Sequence, residues 1–314
     1  MASSRSVVIA ALIANGAIAV MKFVGFVLTG SPSMLSETYH SISDTGNQVF
    51  LLIGIRFSKR DRSRVHPFGY GKAQFFYSFL VSVLLFGIAG WESAKHGYEK
   101  LTHPNAHGGG EPFELLGVMV EPVYVNYAVL IGAILFEAWA LKKANAGLRN
   151  EMESKGWSGY REAFRKTSDV TTLTAFTEDT VALVGASIAL VGVFLTEQFH
   201  EPLFDAAAAF LIGLLLMGFA LALAWENKRL LLGESMPAEK EARLREMARN
   251  WEGVTEVVDL RTVYFGPGRA ILTADIAFEE EMNTEEIDEA ITELEDAMQG
   301  ADEEIGKVYV EPET

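Results

Sequence analysis

The chain contains no cysteine. Disulfides and thiolate ligands are therefore excluded, and any metal must rest on imidazole and oxygen donors, a set that disfavours monovalent copper and suits first-row divalent ions. Imidazole is scarce too, with six histidines in 314 residues and none beyond Gly233. The many carboxylates of that last stretch therefore read as a solvated face. Basic residues are outnumbered, 26 Lys and Arg against 42 Asp and Glu, for a formal net charge of −16 at pH 7. Such an acidic balance argues against a nucleic-acid partner. There is also no H-E-x-x-H sequence, so the helix signature that places two zinc-binding histidines beside a general base is missing.

What the chain has is apolar length. Hydrophobic residues make up 49 % of it despite the charge, which requires the two to be segregated along the sequence. Apolar residues dominate to about Leu232, and Glu and Asp crowd the remainder. Six stretches are long enough to span a bilayer, 7–28, 33–57, 73–91, 123–141, 173–195 and 205–224, at about twenty residues per span. The first is too long for the hydrophobic region of a signal peptide and reads as a span. The connection between the second and third holds Lys59, Arg60, Arg62, Arg64 and Lys72, and that between the fourth and fifth is equally basic, with Lys142, Lys143 and Arg149 among others. The alternate connections carry few, Lys95 and Lys100 in the longest. The excess predicts that both termini face the cytoplasm. Between the third and fourth spans, residues 92–122 hold His96, His103, His107 and three consecutive glycines, which read as a flexible solvated loop.

From Met236 the pattern becomes that of a soluble α+β unit: a helix, two strands over 254–264 and 269–278 about Gly266-Pro267-Gly268, a helix opened by Asn283 with Glu286 at the capping-box position, and a last strand over 305–310. The order resembles a ferredoxin-like fold lacking its first strand. The predicted organisation is a six-helix transmembrane domain over 1–232 and a cytoplasmic α-β-β-α-β domain over 233–314.

The second apolar stretch is interrupted in an ordered way. Glu37, His40, Asp44 and Asn47 follow one another at spacings of three, four and three, which on a helix form one polar stripe. Inside a bilayer such groups are costly unless they face a cavity or a partner. At 1.5 Å per residue Asp44 lies roughly 16 Å along a helix from Ser33, and Asp179 of the fifth span about 12 Å from Thr171. Both depths are near the middle of a ~30 Å hydrocarbon core. Glu178 points about 100° away from Asp179, but its longer side chain could reach the same cavity. Three carboxylates and one imidazole in hydrocarbon would repel one another unless a cation joined them or protons neutralised them. Lys22 and Glu37 lie at similar depth on adjacent spans and could pair. Glu137 reads as snorkelling toward Lys142 at a helix end, and Asp205 as the N-cap of the last span.

The motifs T-G-S-P-S-M-L-S-E-T-Y-H-S-I-S-D-T (29–45), H-P-F-G-Y-G-K (66–72) and E-D-T (178–180) resemble the cation diffusion facilitator family of the zinc-transporter type, and the resemblance runs the full length. It implies a divalent metal/proton antiporter: a transport site combining a His/Asp-x-x-x-Asp pair from the second span with His-x-x-x-Asp from the fifth, alternating access, and a homodimer. His40, Asp44 and Asp179 match three of the four positions; Ala175 stands where the fourth would be. Glu178, Asn47 or water could replace it. His40 resembles the zinc-preferring sites, whereas one nitrogen with three oxygens is harder and admits manganese, iron or cobalt. Ser63 and Tyr70 stand where some relatives carry ligands around the second-to-third loop, which leaves His66 as a structural residue. The expected function is export of a divalent ion, Zn2+ first, in exchange for protons, with no catalytic residue and no resident cofactor. The rival readings are a metal sensor or scaffold that binds without flux, and an intramembrane metallohydrolase. The expected location is a membrane crossed several times, the plasma (inner) membrane if the source is prokaryotic.

Overall fold

The computed structural model describes residues 4–103, 112–115, 118–160, 162–163 and 170–313. They form two compact units, Met1–Ile53 with Tyr77–Trp225, and Gly54–Phe76 with Glu226–Thr314.

The first unit is built from long helices. They are α1 (Ser4–Thr29), α2 (Pro32–Ser58), α3 (Ala73–Leu84), α4 (Trp91–Thr102), α5 (Pro122–Lys155), α6 (Val170–Phe199) and α7 (Leu203–Leu232). A π-helical turn, Leu85–Gly90, joins α3 to α4 without a break. Four of the described helices, over 73–102, 122–154, 176–199 and 203–232, are long and apolar enough to cross a membrane. Asn15–Thr29 is a shorter apolar helix, and α2 carries the polar stripe, which lowers its hydropathy. Residues 92–102, expected in a loop, are helical, so the third span is longer than its apolar run. His103 only ends it, its amide donating to the Glu99 carbonyl at 2.9 Å. His107 and the three glycines lie outside the described residues. The same connection contains a short antiparallel hairpin, β1 (Phe113–Leu115) with β2 (Val118–Val120).

α5 likewise runs past its apolar part and stops at Gly156, whose φ of 67° is the left-handed conformation glycine adopts most readily. The helices meet around Met34, Leu85, Leu130, Ala189, Ile212 and Leu216, all buried. Asp205 lies in the first turn of α7, but its carboxylate serves a different helix from the one expected. It accepts from the Ser31 hydroxyl at 2.6 Å and from the Ser33 amide at 3.3 Å, capping α2, whose first amides have no partner within the helix.

The second unit carries α8 (Ala238–Arg249), β3 (Val254–Gly266), β4 (Arg269–Phe278), α9 (Thr284–Ala301) and β5 (Ile305–Glu313). The sheet order is β3-β4-β5, antiparallel then parallel. A parallel neighbour requires a crossover, which α9 supplies. Alternate residues of β4, Ala270, Leu272, Ala274, Ile276 and Phe278, face the core that Leu244 of α8 and Leu294 and Met298 of α9 complete. The expected capping box is present: Asn283 accepts from the amides of Glu285 and Glu286, and Glu286 accepts from the Asn283 amide. Residues 54–76 belong to this unit. His66 stacks on Tyr70 at 4.2 Å and Phe68 meets Phe265 at 5.0 Å, contacts that fit a structural loop.

Candidate metal centre

The polar stripe of α2 is buried at Glu37 and His40 and half-buried at Asp44 and Asn47. Its hydroxyls are satisfied within the helix, Ser36 donating to the Pro32 carbonyl at 3.2 Å, Thr38 to Met34 at 2.8 Å and Thr45 to Ser41 at 2.8 Å. Such bonds to the preceding turn let small polar residues sit in an apolar setting. The ionisable groups need other partners.

Asp44 and Asn47 meet α6. The Asn47 amide donates to Glu178 Oε1 at 2.8 Å, and Glu178 is also hydrogen-bonded to Asp44. Neighbouring acidic groups on facing helices favour a cation between them, whether a metal ion or a proton. One turn along α2, His40 is 1 % exposed, and its Nε2 lies 3.5 Å from Asp44 Oδ2, too long for a firm bond. Neither ring nitrogen has a hydrogen-bond partner. A buried imidazole with two idle nitrogens is costly unless a ligand uses one.

One turn further, Glu37 accepts from Lys22 of α1 at 2.7 Å, both side chains fully buried. This is the pair suggested by their depth.

Asp179 sits apart. It is half-buried, and its charge is felt at Glu178 and Glu137, but among the described residues no hydrogen bond or ion pair ties it to His40 or Asp44. The structure thus brings together Asp44, Glu178 and Asn47, with His40 at their edge, and leaves Asp179 on the adjoining face of α6. Among the described residues no three His, Asp or Glu side chains stand ready as a cage for a metal ion.

Sequence reasoning misplaced one residue. Glu137 is 9 % exposed and in electrostatic reach of Lys22, Asp179, Glu37 and Glu178, so it faces the same acidic region rather than snorkelling. The error followed from ending the helix near Leu141; α5 continues to Lys155, which puts Glu137 in its middle. At the α1–α2 turn a cavity of about 250 Å³ opens, lined by Ser31, Asn126, Glu197, His200 and Asp205 among others.

Residues 8–232 match the family profile described as the cation efflux transmembrane domain, and residues 236–314 that of the cation efflux protein, cytoplasmic domain. The human mitochondrial protein named proton-coupled zinc antiporter SLC30A9 is 31 % identical over 273 residues, 87 % of this chain and 46 % of its own length. Metal tolerance protein C4 of Arabidopsis thaliana is 25 % identical over 279 residues, 89 % of this chain and 58 % of its own length. The cation-efflux pump FieF of Klebsiella pneumoniae is 25 % identical over 269 residues, 85 % of this chain and 79 % of its own length. The chain thus spans about half the length of the first of these relatives.

Proposed function

The chain belongs to the cation diffusion facilitator family of cation-efflux transporters, and from that premise we propose that it exports a divalent transition-metal ion, Zn2+ first, in exchange for protons. The observation that carries the reading is the half-buried junction of Asp44, Asn47 and Glu178 across α2 and α6, with the unpartnered imidazole of His40 beside it. In this reading His40, Asp44 and Asp179 ligate the ion and Glu178 takes the place left by Ala175, with Asn47 orienting it. The ion is cargo, so its ligands converge only while it is held and part when it leaves, which a permanently closed cage would prevent. Binding displaces protons carried by Asp44 and Glu178 in the metal-free state, and that displacement is the coupling step. The helices rock about the site between two openings. With a single imidazole the donor set is harder than a two-imidazole site, so manganese, iron and cobalt compete.

The named zinc antiporter among the relatives supports both the metal and the proton. Two domains, 1–232 for transport and 233–314 in the cytoplasm, both termini on the cytoplasmic side of a plasma membrane, and a homodimer complete the proposal. The test is zinc flux into proteoliposomes under a proton gradient. The expected outcome is loss of flux in Asp44→Ala and in Asp179→Ala; normal flux in either removes that residue from the site. Metal binding without flux in the unaltered protein would favour the sensor reading instead.

A further inference from the structure

The acidic junction has a second rung. Moving along α2 from Asp44 by seven residues reaches Glu37, and moving along α6 from Glu178 by seven reaches Gly185. The two displacements run in opposite senses of the chain, as they must for antiparallel helices in contact. Each is about 10 Å along the axis and returns nearly to the same face. Asp44 and Asn47 meet Glu178 at one level, and Glu37 meets Gly185 at the next: a Cβ added to Gly185 would lie 2.7 Å from Glu37 Oε1. Where the first rung has a carboxylate on each helix, the second has one carboxylate facing a residue without a side chain.

The Glu37 carboxylate is only half used. Lys22 Nζ holds Oε2 at 2.7 Å, and Oε1 has no hydrogen-bond partner although Glu37 is 0 % exposed. His40, lying between the two rungs on the same stripe, has both ring nitrogens idle. Among the described residues Lys22 is the only buried Lys or Arg, and its charge is felt at His40, Asp44 and Glu137. An ammonium group thus sits on one oxygen of the carboxylate whose other oxygen a divalent ion in this region would use.

We propose that Glu37 is a further cation ligand, one station along α2 from the transport site, and that Lys22 is a tethered cation that occupies it when no metal is bound. The inference rests on the transport reading given above and adds to it a ligand and a release device. An ion held by His40 and Asp44 passes toward Glu37 as Lys22 gives way. The returning ammonium then competes for the carboxylate and repels the ion, so the metal leaves and the site resets.

Three variants in full-length protein, compared by zinc calorimetry in lipid nanodiscs and zinc flux in proteoliposomes, decide it. Lys22→Met removes the competitor, so zinc binds about tenfold tighter, the loss of one nearby positive charge, while flux falls because release slows. An affinity equal to that of the unaltered protein overturns the tethered-cation role. Because Lys22→Met leaves a buried carboxylate without its partner and can fail to fold, the double variant Lys22→Met with Glu37→Gln is measured as well. It leaves no unpaired charge, and a pair serving only to pin α1 to α2 would tolerate it. The expected result is zinc affinity within about threefold of the unaltered protein and flux reduced about tenfold, the loss of a transfer ligand; normal flux overturns the Glu37 assignment. Asp44→Asn separates the two levels of the argument. Normal zinc flux in that variant overturns the transport site itself, whereas its loss beside a fully active double variant overturns Glu37 alone.

Discussion

Glu178 holds two partners at once, accepting from Asn47 at 2.8 Å and lying beside Asp44. Removing the amide leaves the carboxylate without the group that aims it. Asn47→Ala is expected to weaken zinc transport about tenfold, since a hydrogen bond to a charged group is worth about 1.5–3 kcal/mol; the measurement is KM for zinc in proteoliposomes. Ala175 is the converse case, one helical turn before Asp179 on α6. Ala175→His would restore the two-imidazole pattern of the family and soften the donor set. Preference for zinc over manganese in a competition flux assay is expected to rise by about tenfold. In the other unit, Tyr264 donates to Glu304 at 2.8 Å, and burial, followed by that neighbouring carboxylate, pushes its phenol well above the usual range. The phenol therefore ionises in the unfolded chain first. Above about pH 10 the unfolded state binds fewer protons, so the stabilisation is complete below that pH and is lost as pH rises further. Thermal melts from pH 9 to 11 are expected to fall more steeply in the unaltered protein than in Tyr264→Phe.

Among the elements, α2 carries most of the candidate site and depends on others for its start and its packing. Its first turn is capped by Asp205 from α7, a residue distant in sequence. Asp205→Ala is expected to lower the melting temperature by the equivalent of about 1–2 kcal/mol. Part of that loss should return with Asp205→Asn, which can still accept from Ser31. Local patterns made much of this legible in advance. The three-four-three spacing gives the stripe on α2, the alternation in 269–278 gives β4, and Asn283 with Glu286 gives the start of α9. The Asp205 cap was not legible, because a carboxylate at a helix start looks the same whether it serves its own helix or a neighbour. Nor was the buried place of Glu137, since polar extensions hide where an apolar helix ends: α5 runs on through Lys142 and Lys143, and α4 through Lys95 and Lys100. Which carboxylates of α6 meet α2 depends on rotation about an axis. The sequence pattern favoured Asp179, and Glu178 makes the contact.

At the scale of the whole chain, two solvents govern the composition. The net charge of −16 belongs largely to residues after Leu232, where Glu and Asp are hydrated, while the buried acidic groups of the first unit must be matched one by one. Lys and Arg mark the boundary instead. Lys59, Arg60, Arg62, Arg64 and Lys72 fall in the second-to-third connection, and such an excess keeps a connection on the cytoplasmic side during insertion. In the proposed orientation α2 runs from the outer to the inner face and α6 the reverse; the meeting of Glu37 with Gly185 and of Asn47 with Glu178 requires that the two helices be antiparallel. The orientation has a direct consequence. A single cysteine introduced at Ser63 or at Thr284, in a chain that has none of its own, should react with a membrane-impermeant maleimide in inside-out vesicles and stay unlabelled in right-side-out ones. A cysteine at Ser31, in the short turn between α1 and α2, should be inaccessible from the cytoplasmic side in both the metal-free and metal-loaded protein. Labelling of Ser63→Cys from the outside would reverse the orientation, and with it the direction in which zinc leaves and protons return.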